Sequence, residues 1–157
     1  VGDSRSVGAD DSRKTSPPEE GSEVISQDLT TDHRPDHMEE RMRIIKCGGE
    51  VRTASKSMAR VFVRGTDGPG LAMSRSIGDA EAHKVGVNHY PSCLRWQVAG
   101  STESAAADER SRLMLICSDG VWEFMSSAEA ITLVARYRKD QVDEAAEALA
   151  REARMRW

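Results

Sequence analysis

The sequence predicts an α+β layered fold. Three observations carry the expectation: residues 59–65 (ARVFVRG) and 113–117 (LMLIC) are strand-like runs, segments with a helical apolar period collect after position 119, and strands and helices nowhere alternate regularly as a doubly wound sheet requires.

Each element has its own grammar. Residues 8–23 (GADDSRKTSPPEEGSE) are rich in Ser, Pro and charge and carry no apolar period, so a polar, mobile insertion is expected at 9–23. Residues 35–51 (PDHMEERMRIIKCGGEV) read as a helix. Asp36 and Glu39 stand at capping-box spacing, Met38, Met42 and Ile45 recur at helical period as packing residues, and Gly48 with Gly49 supplies the stop. The strand at 59–65 is closed by the turn TDGPG, residues 95–100 (RWQVAG) are a shorter strand, and 113–117 is read as a buried one. Ser126 and Glu129 then repeat the capping-box spacing ahead of an apolar face of Ile131, Val134 and Ala135. The last segment, 140–157 (DQVDEAAEALAREARMRW), places Val142, Ala146, Leu149 and Ala153 on one stripe with charges opposite.

Composition excludes several classes. The 157 residues, 38% of them hydrophobic, suit one domain, but the chain starts at Val1 and its last periodic segment runs into Trp157, so a fragment of something longer is expected. Net charge is −4 and no dense basic cluster exists, which argues against a nucleic-acid partner. The three cysteines, Cys47, Cys93 and Cys117, form no zinc-type spacing and fit a reduced intracellular protein. No apolar run approaches the roughly 18–20 residues that a membrane span needs.

Asp119 is the residue that demands a reason. An aspartate at the end of an apolar strand, followed by Gly120, can aim a carboxylate at a divalent cation from a rigid element. The competing reading is a turn aspartate that caps local N–H groups. Phosphotransferases of the haloacid dehalogenase type also carry an Asp after a strand, but they need Asp-x-Asp, and two positions before Asp119 stands Cys117.

Several stretches together decide between these readings. VGDSRSVG (1–8), LTTDHRPDHMEERMRIIKCGGEV (29–51), GLAMSRSIGDAEAHKVGV (70–87) and LMLICSDGVWEFMSSAEAITLV (113–134) resemble, in order, the Gly-Asp-Ser-Arg, Leu-Thr-x-Asp-His-Lys-Pro, Leu-Ala-x-Ser-Arg-x-x-Gly-Asp and Ser-Asp-Gly-x-Trp-Asp blocks of the metal-dependent, type 2C serine/threonine protein phosphatases. The resemblance implies a β-sandwich of two antiparallel sheets flanked by helices, of which residues 1–157 would be a partial catalytic domain. It also implies two or more Mg²⁺ or Mn²⁺ ions, with Asp119 as a ligand of the cluster and Asp3 helping to hold an additional, weaker ion. The implied chemistry is hydrolysis of phosphoserine and phosphothreonine in phosphoprotein substrates by a metal-activated water, in a monomeric signalling enzyme.

Other residues receive plainer readings. Asp79 reads equally as structural, paired with Arg75 or with backbone, or as functional, with metal ligation the minor alternative, and His33, His83 and His89 are expected to be structural or solvated. Glu123 stands where the family more often has Asp, which alters its reach toward metal-bound water. The family's Arg-x-x-x-Glu-Asp, Asp-Gly-His-Gly and final Asp-Asn segments do not occur in these 157 residues, so this piece alone is expected to be inactive. A phosphatase-like module that has lost catalysis and serves in binding or scaffolding is the alternative.

Overall fold

The computed structural model describes residues 2–11, 25–53, 58–96 and 111–157. They divide into two compact units, one of Val1–Ser4 with Thr31–Cys93 and one of Arg5–Thr30 with Leu94–Trp157.

In the first unit, helix α1 (Met38–Lys46) is followed by β3 (Gly49–Arg52), β4 (Arg60–Val63) and β5 (Pro69–Leu71), which pair antiparallel in the order β3-β4-β5, and by the short helix α2 (Ala80–His83). The first two strands in the chain, β1 (Arg5–Asp11) and β2 (Ser26–Asp28), belong to the second unit. The double-glycine stop of α1 has two separate causes. Gly48 takes φ +87, a left-handed turn that side chains resist, whereas a Cβ on Gly49 would lie 2.7 Å from the carbonyl oxygen of Val85 and from a methyl of Ile44.

Two expectations for α1 are corrected. Its N-cap is His37 and no side chain caps it, because Asp36 is engaged by Arg34 Nε and Nη2 at 3.2 and 3.1 Å. The expected packing stripe is exposed, with Met38 at 75%, Met42 at 61% and Ile45 at 40%, while Glu40 and Ile44 are buried. Ile44 joins Val51, Ala59, Val61, Ala82, Val85 and Val87 in the unit's core, and Glu40, one turn earlier on the same face, is buried with charged partners, which turns the methionines outward.

The second unit centres on β1, which pairs antiparallel with β2 on one side and with β6 (Ser111–Cys117) on the other. β1 extends through Asp11, so the start of the expected insertion is strand; its remainder, 12–23, lies outside the described residues. Of the expected strand at 95–100, Arg95 and Trp96 are irregular and the rest lies outside the described residues.

β6 is not buried on both faces as expected. Leu113, Leu115 and Cys117 pack toward the core, whereas Met114 and Ile116 are 47% and 72% exposed, so the strand alternates. Helices α3 (Asp119–Trp122), α4 (Ser127–Val134) and α5 (Val142–Arg156) follow it. The Ser126–Glu129 capping box forms in full. On α5 the buried stripe is Ala145, Leu149 and Ala153, and Val142 is exposed, one step round from the expected face. Val7 and Ala9 of β1 meet Ile131 of α4, and Met125, Ala130 and Val134 meet the α5 stripe. The chain is thus α+β, with two three-stranded antiparallel sheets and accompanying helices among the described residues. Among the described residues no helix is long and apolar enough to cross a membrane.

Candidate functional site

The turn after β6 is built from three consecutive residues. Cys117 closes the strand opposite Arg5, Ser118 continues extended at φ −78 and ψ 175, and Asp119 is the first residue of α3. One short helical turn follows, with the Val121 amide donating to the Ser118 carbonyl at 3.1 Å and the Glu123 amide to the Asp119 carbonyl at 2.9 Å.

A side chain reinforces this turn. Trp122 Nε1 donates to the carbonyl of Cys117 at 2.9 Å, and the Arg5 guanidinium lies 5.4 Å from the Trp122 ring centroid. Arg5 also reaches Ser127 Oγ at 3.4 Å and the Asp28 carboxylate at 3.9 Å. Burial pushes the Cys117 thiol up, away from nucleophilic chemistry.

The Asp119 carboxylate is exposed, and among the described residues no hydrogen bond or ion pair engages it. A turn aspartate would spend its oxygens on nearby N–H groups, so the capping reading loses its support here. Glu123 is exposed at the C-cap of the same short helix.

Asp3 sits half-buried on a bend of the first unit, next to Gly2, whose carbonyl accepts the His33 amide at 2.8 Å. His33 is buried and its Nε2 lies 2.9 Å from Ser92 Oγ; burial, then the charge of Arg75, pushes its pKa below the usual value. Its structural reading stands, as does that of His83, which donates to the Ser76 carbonyl at 3.1 Å and stacks on His89.

Arg75 does not pair with Asp79. It grips Glu40 and also donates to the Tyr90 carbonyl at 2.9 Å, while Arg43 donates to Glu40 at 2.7 Å and to the carbonyls of Gly86 and Ser74 at 2.8 Å each. Asp79 instead adopts the left-handed conformation, φ 50, at the start of α2. Burial pushes the Glu40 carboxyl up, yet the hydrogen bonds from Arg75 and Arg43 outweigh it and hold the group well below the usual carboxylate range. Sequence reading missed this node; its signal was a glutamate placed one helical turn from Arg43 and Ile44, opposite the methionines.

The donor chemistry of Asp119 suits a hard cation such as Mg²⁺ or Mn²⁺. The number of donors does not: among the described residues no three His, Cys, Asp or Glu side chains converge as a metal site.

Comparison with known proteins agrees with this architecture. The family profile for Protein phosphatase 2C matches residues 1–156. "Probable protein phosphatase 2C 64" of Oryza sativa subsp. japonica is 33% identical over 136 residues, covering 85% of this chain and 28% of the relative. "Probable protein phosphatase 2C 18" of Arabidopsis thaliana is 33% identical over 137 residues, covering 86% of this chain and 24% of the relative. The chain therefore spans about a quarter of the length of these relatives. Among solved structures, serine-threonine phosphatase 2C from Toxoplasma gondii superposes with a TM-score of 0.66 at 21% identity, over 98% of this chain and 46% of that one, a likeness of fold. A second Toxoplasma gondii phosphatase gives 0.65 at 26% identity, over 98% and 41%. With the profile matched nearly end to end and these relatives sharing a third of their aligned residues, the chain belongs to the protein phosphatase 2C family.

Proposed function

We propose that the protein carrying this chain is a metal-dependent serine/threonine phosphatase that hydrolyses phosphoserine and phosphothreonine with a metal-activated water. The observation that carries the reading is the Asp119 carboxylate, exposed and unengaged at a strand-to-helix turn of a chain in this family. Asp119 would be a ligand of a cluster of two or more Mg²⁺ or Mn²⁺ ions, and Asp3 would help hold an additional, weaker ion. Such ions lower the pKa of bound water and offset phosphoryl charge. The substrates are phosphoproteins, and the protein acts as an intracellular monomer.

The chain by itself is read as inactive, because the family's Arg-x-x-x-Glu-Asp, Asp-Gly-His-Gly and final Asp-Asn segments do not occur in these 157 residues. Metal titration of phosphopeptide hydrolysis tests the reading in the full-length protein. Asp119→Asn should lower turnover by on the order of a hundredfold or more while thermal unfolding stays near wild type. Asp3→Ala should mainly raise the concentration of Mg²⁺ or Mn²⁺ required. Near-normal turnover of Asp119→Asn at low metal would return Asp119 to the role of a turn residue.

A further inference from the structure

The exposed Asp119 carboxylate has no bond of its own to fix its direction, so its aim depends on how firmly the turn beneath it is held. The backbone gives little help: α3 is four residues long, and Gly120 has nothing closer to its Cβ position than Ser118 Oγ at 3.6 Å. Trp122 closes the loop from the far side, because its indole N–H reaches back to the Cys117 carbonyl at 2.9 Å and ties the end of α3 to the end of β6. The ring in turn is confined. It is half-buried against the second unit's core and carries the Arg5 guanidinium over its face at 5.4 Å, and Arg5 is opposite Cys117 in the β1–β6 ladder. Strand end, indole and guanidinium therefore form one brace around Ser118, Asp119 and Gly120.

We propose that Trp122 is the positioning residue for Asp119, with Arg5 as the cation that holds the indole in place. The inference rests on the reading of Asp119 as a metal ligand. It assigns the indole N–H a role that phenylalanine, a smaller aromatic ring with no donor, cannot fill.

Trp122→Phe, Asp119→Asn and the double variant of the full-length protein test this through Mn²⁺ binding by electron paramagnetic resonance, metal-free exchange of the hydrogen-bonded amides of Val121 and Glu123, and thermal unfolding. Trp122→Phe should weaken Mn²⁺ binding and speed exchange at Val121, each by on the order of tenfold, as removal of a residue behind a metal ligand does. In the Asp119→Asn background it should weaken Mn²⁺ binding no further. Unchanged Mn²⁺ binding and exchange in Trp122→Phe, or the same loss of binding with and without Asp119, overturns the proposal. Wild-type Mn²⁺ binding by Asp119→Asn overturns the metal reading of Asp119 itself, and the proposal with it. Should Trp122→Phe not fold, Arg5→Met keeps the indole and removes its cation; the same acceleration at Val121 is expected, and its absence overturns the brace.

Discussion

Glu40 and Arg75 form a two-point ion pair in the first unit, with Arg75 Nε at 3.1 Å from each carboxylate oxygen and Nη2 on Oε1, and the Glu40 side chain only 7% exposed. Through Arg75 the pair reaches Tyr90 and Ser92, and through Arg43 it reaches Gly86 and Ser74. One acidic side chain on α1 thus anchors the segments that follow β5.

Glu40→Gln keeps the shape and removes the charge, leaving two guanidinium groups facing a neutral amide. The expected cost is on the order of 2 kcal/mol, because two partly buried guanidinium groups lose their charged partner while solvent reaches part of each. Urea unfolding of the full-length protein measures it, and a loss well under 1 kcal/mol would show that solvent already satisfies both arginines.

Acid should loosen the first unit in two stages. His33 has a folded pKa below its unfolded value of 6.5, so the unfolded chain takes up its proton first and stability falls as pH drops below that value. Glu40 has a folded pKa below its unfolded value of 4.5; its contribution is present above that value and is lost as pH falls through the folded pKa. Denaturant midpoints followed from pH 8 to pH 3 should decline across both windows, and His33→Gln should remove the upper stage alone.

The two capping-box spacings should respond differently to mutation. Ser126→Ala should cost about 1 kcal/mol, because its hydroxyl accepts the Glu129 amide at 3.2 Å. Asp36→Ala should cost only a few tenths, because Asp36 caps nothing and its pair with Arg34 is exposed. Glu129, held at a pKa of about 2 by the Ser126 amide, Arg156 and the Ser126 hydroxyl, should keep its cap intact well into acid. Equal losses from both alanine variants in thermal unfolding would contradict the assigned caps.

The isolated 157-residue chain should self-associate. β6 has β1 on one side and no strand on the other among the described residues, and it displays Met114 and Ile116. Ile116→Lys should lower light scattering at a fixed protein concentration; unchanged scattering would place the sticky surface elsewhere.

What could be read from the sequence was mostly local. The Ser126–Glu129 box, the left-handed turn at Gly48 and β4 depend on neighbours a few residues away, and each formed. The turn at Asp119 was legible for the same reason, as a strand meeting Ser-Asp-Gly. What failed depended on distant partners. Periodicity assumes that a helix buries its apolar face, but α1 buries Glu40 because Arg75, far along the chain, is there to meet it. Asp36 lost its cap to Arg34, a competitor that spacing rules do not weigh. The indole bond from Trp122 to Cys117 links an apolar side chain to a carbonyl, which no hydrophobic pattern encodes.

The placement of β1 between β2 and β6 also sets an order of events during synthesis. β3, β4 and β5 are joined by short connections, so that sheet can assemble from a contiguous stretch soon after it leaves the ribosome. β1 must wait: its longer partner, β6, begins only at Ser111, and the helices that cover Val7 and Ala9 come later still. Until then β1 has only the short β2 beside it and its other edge stays open, and a nascent chain halted before Ser111 should recruit chaperones through that edge.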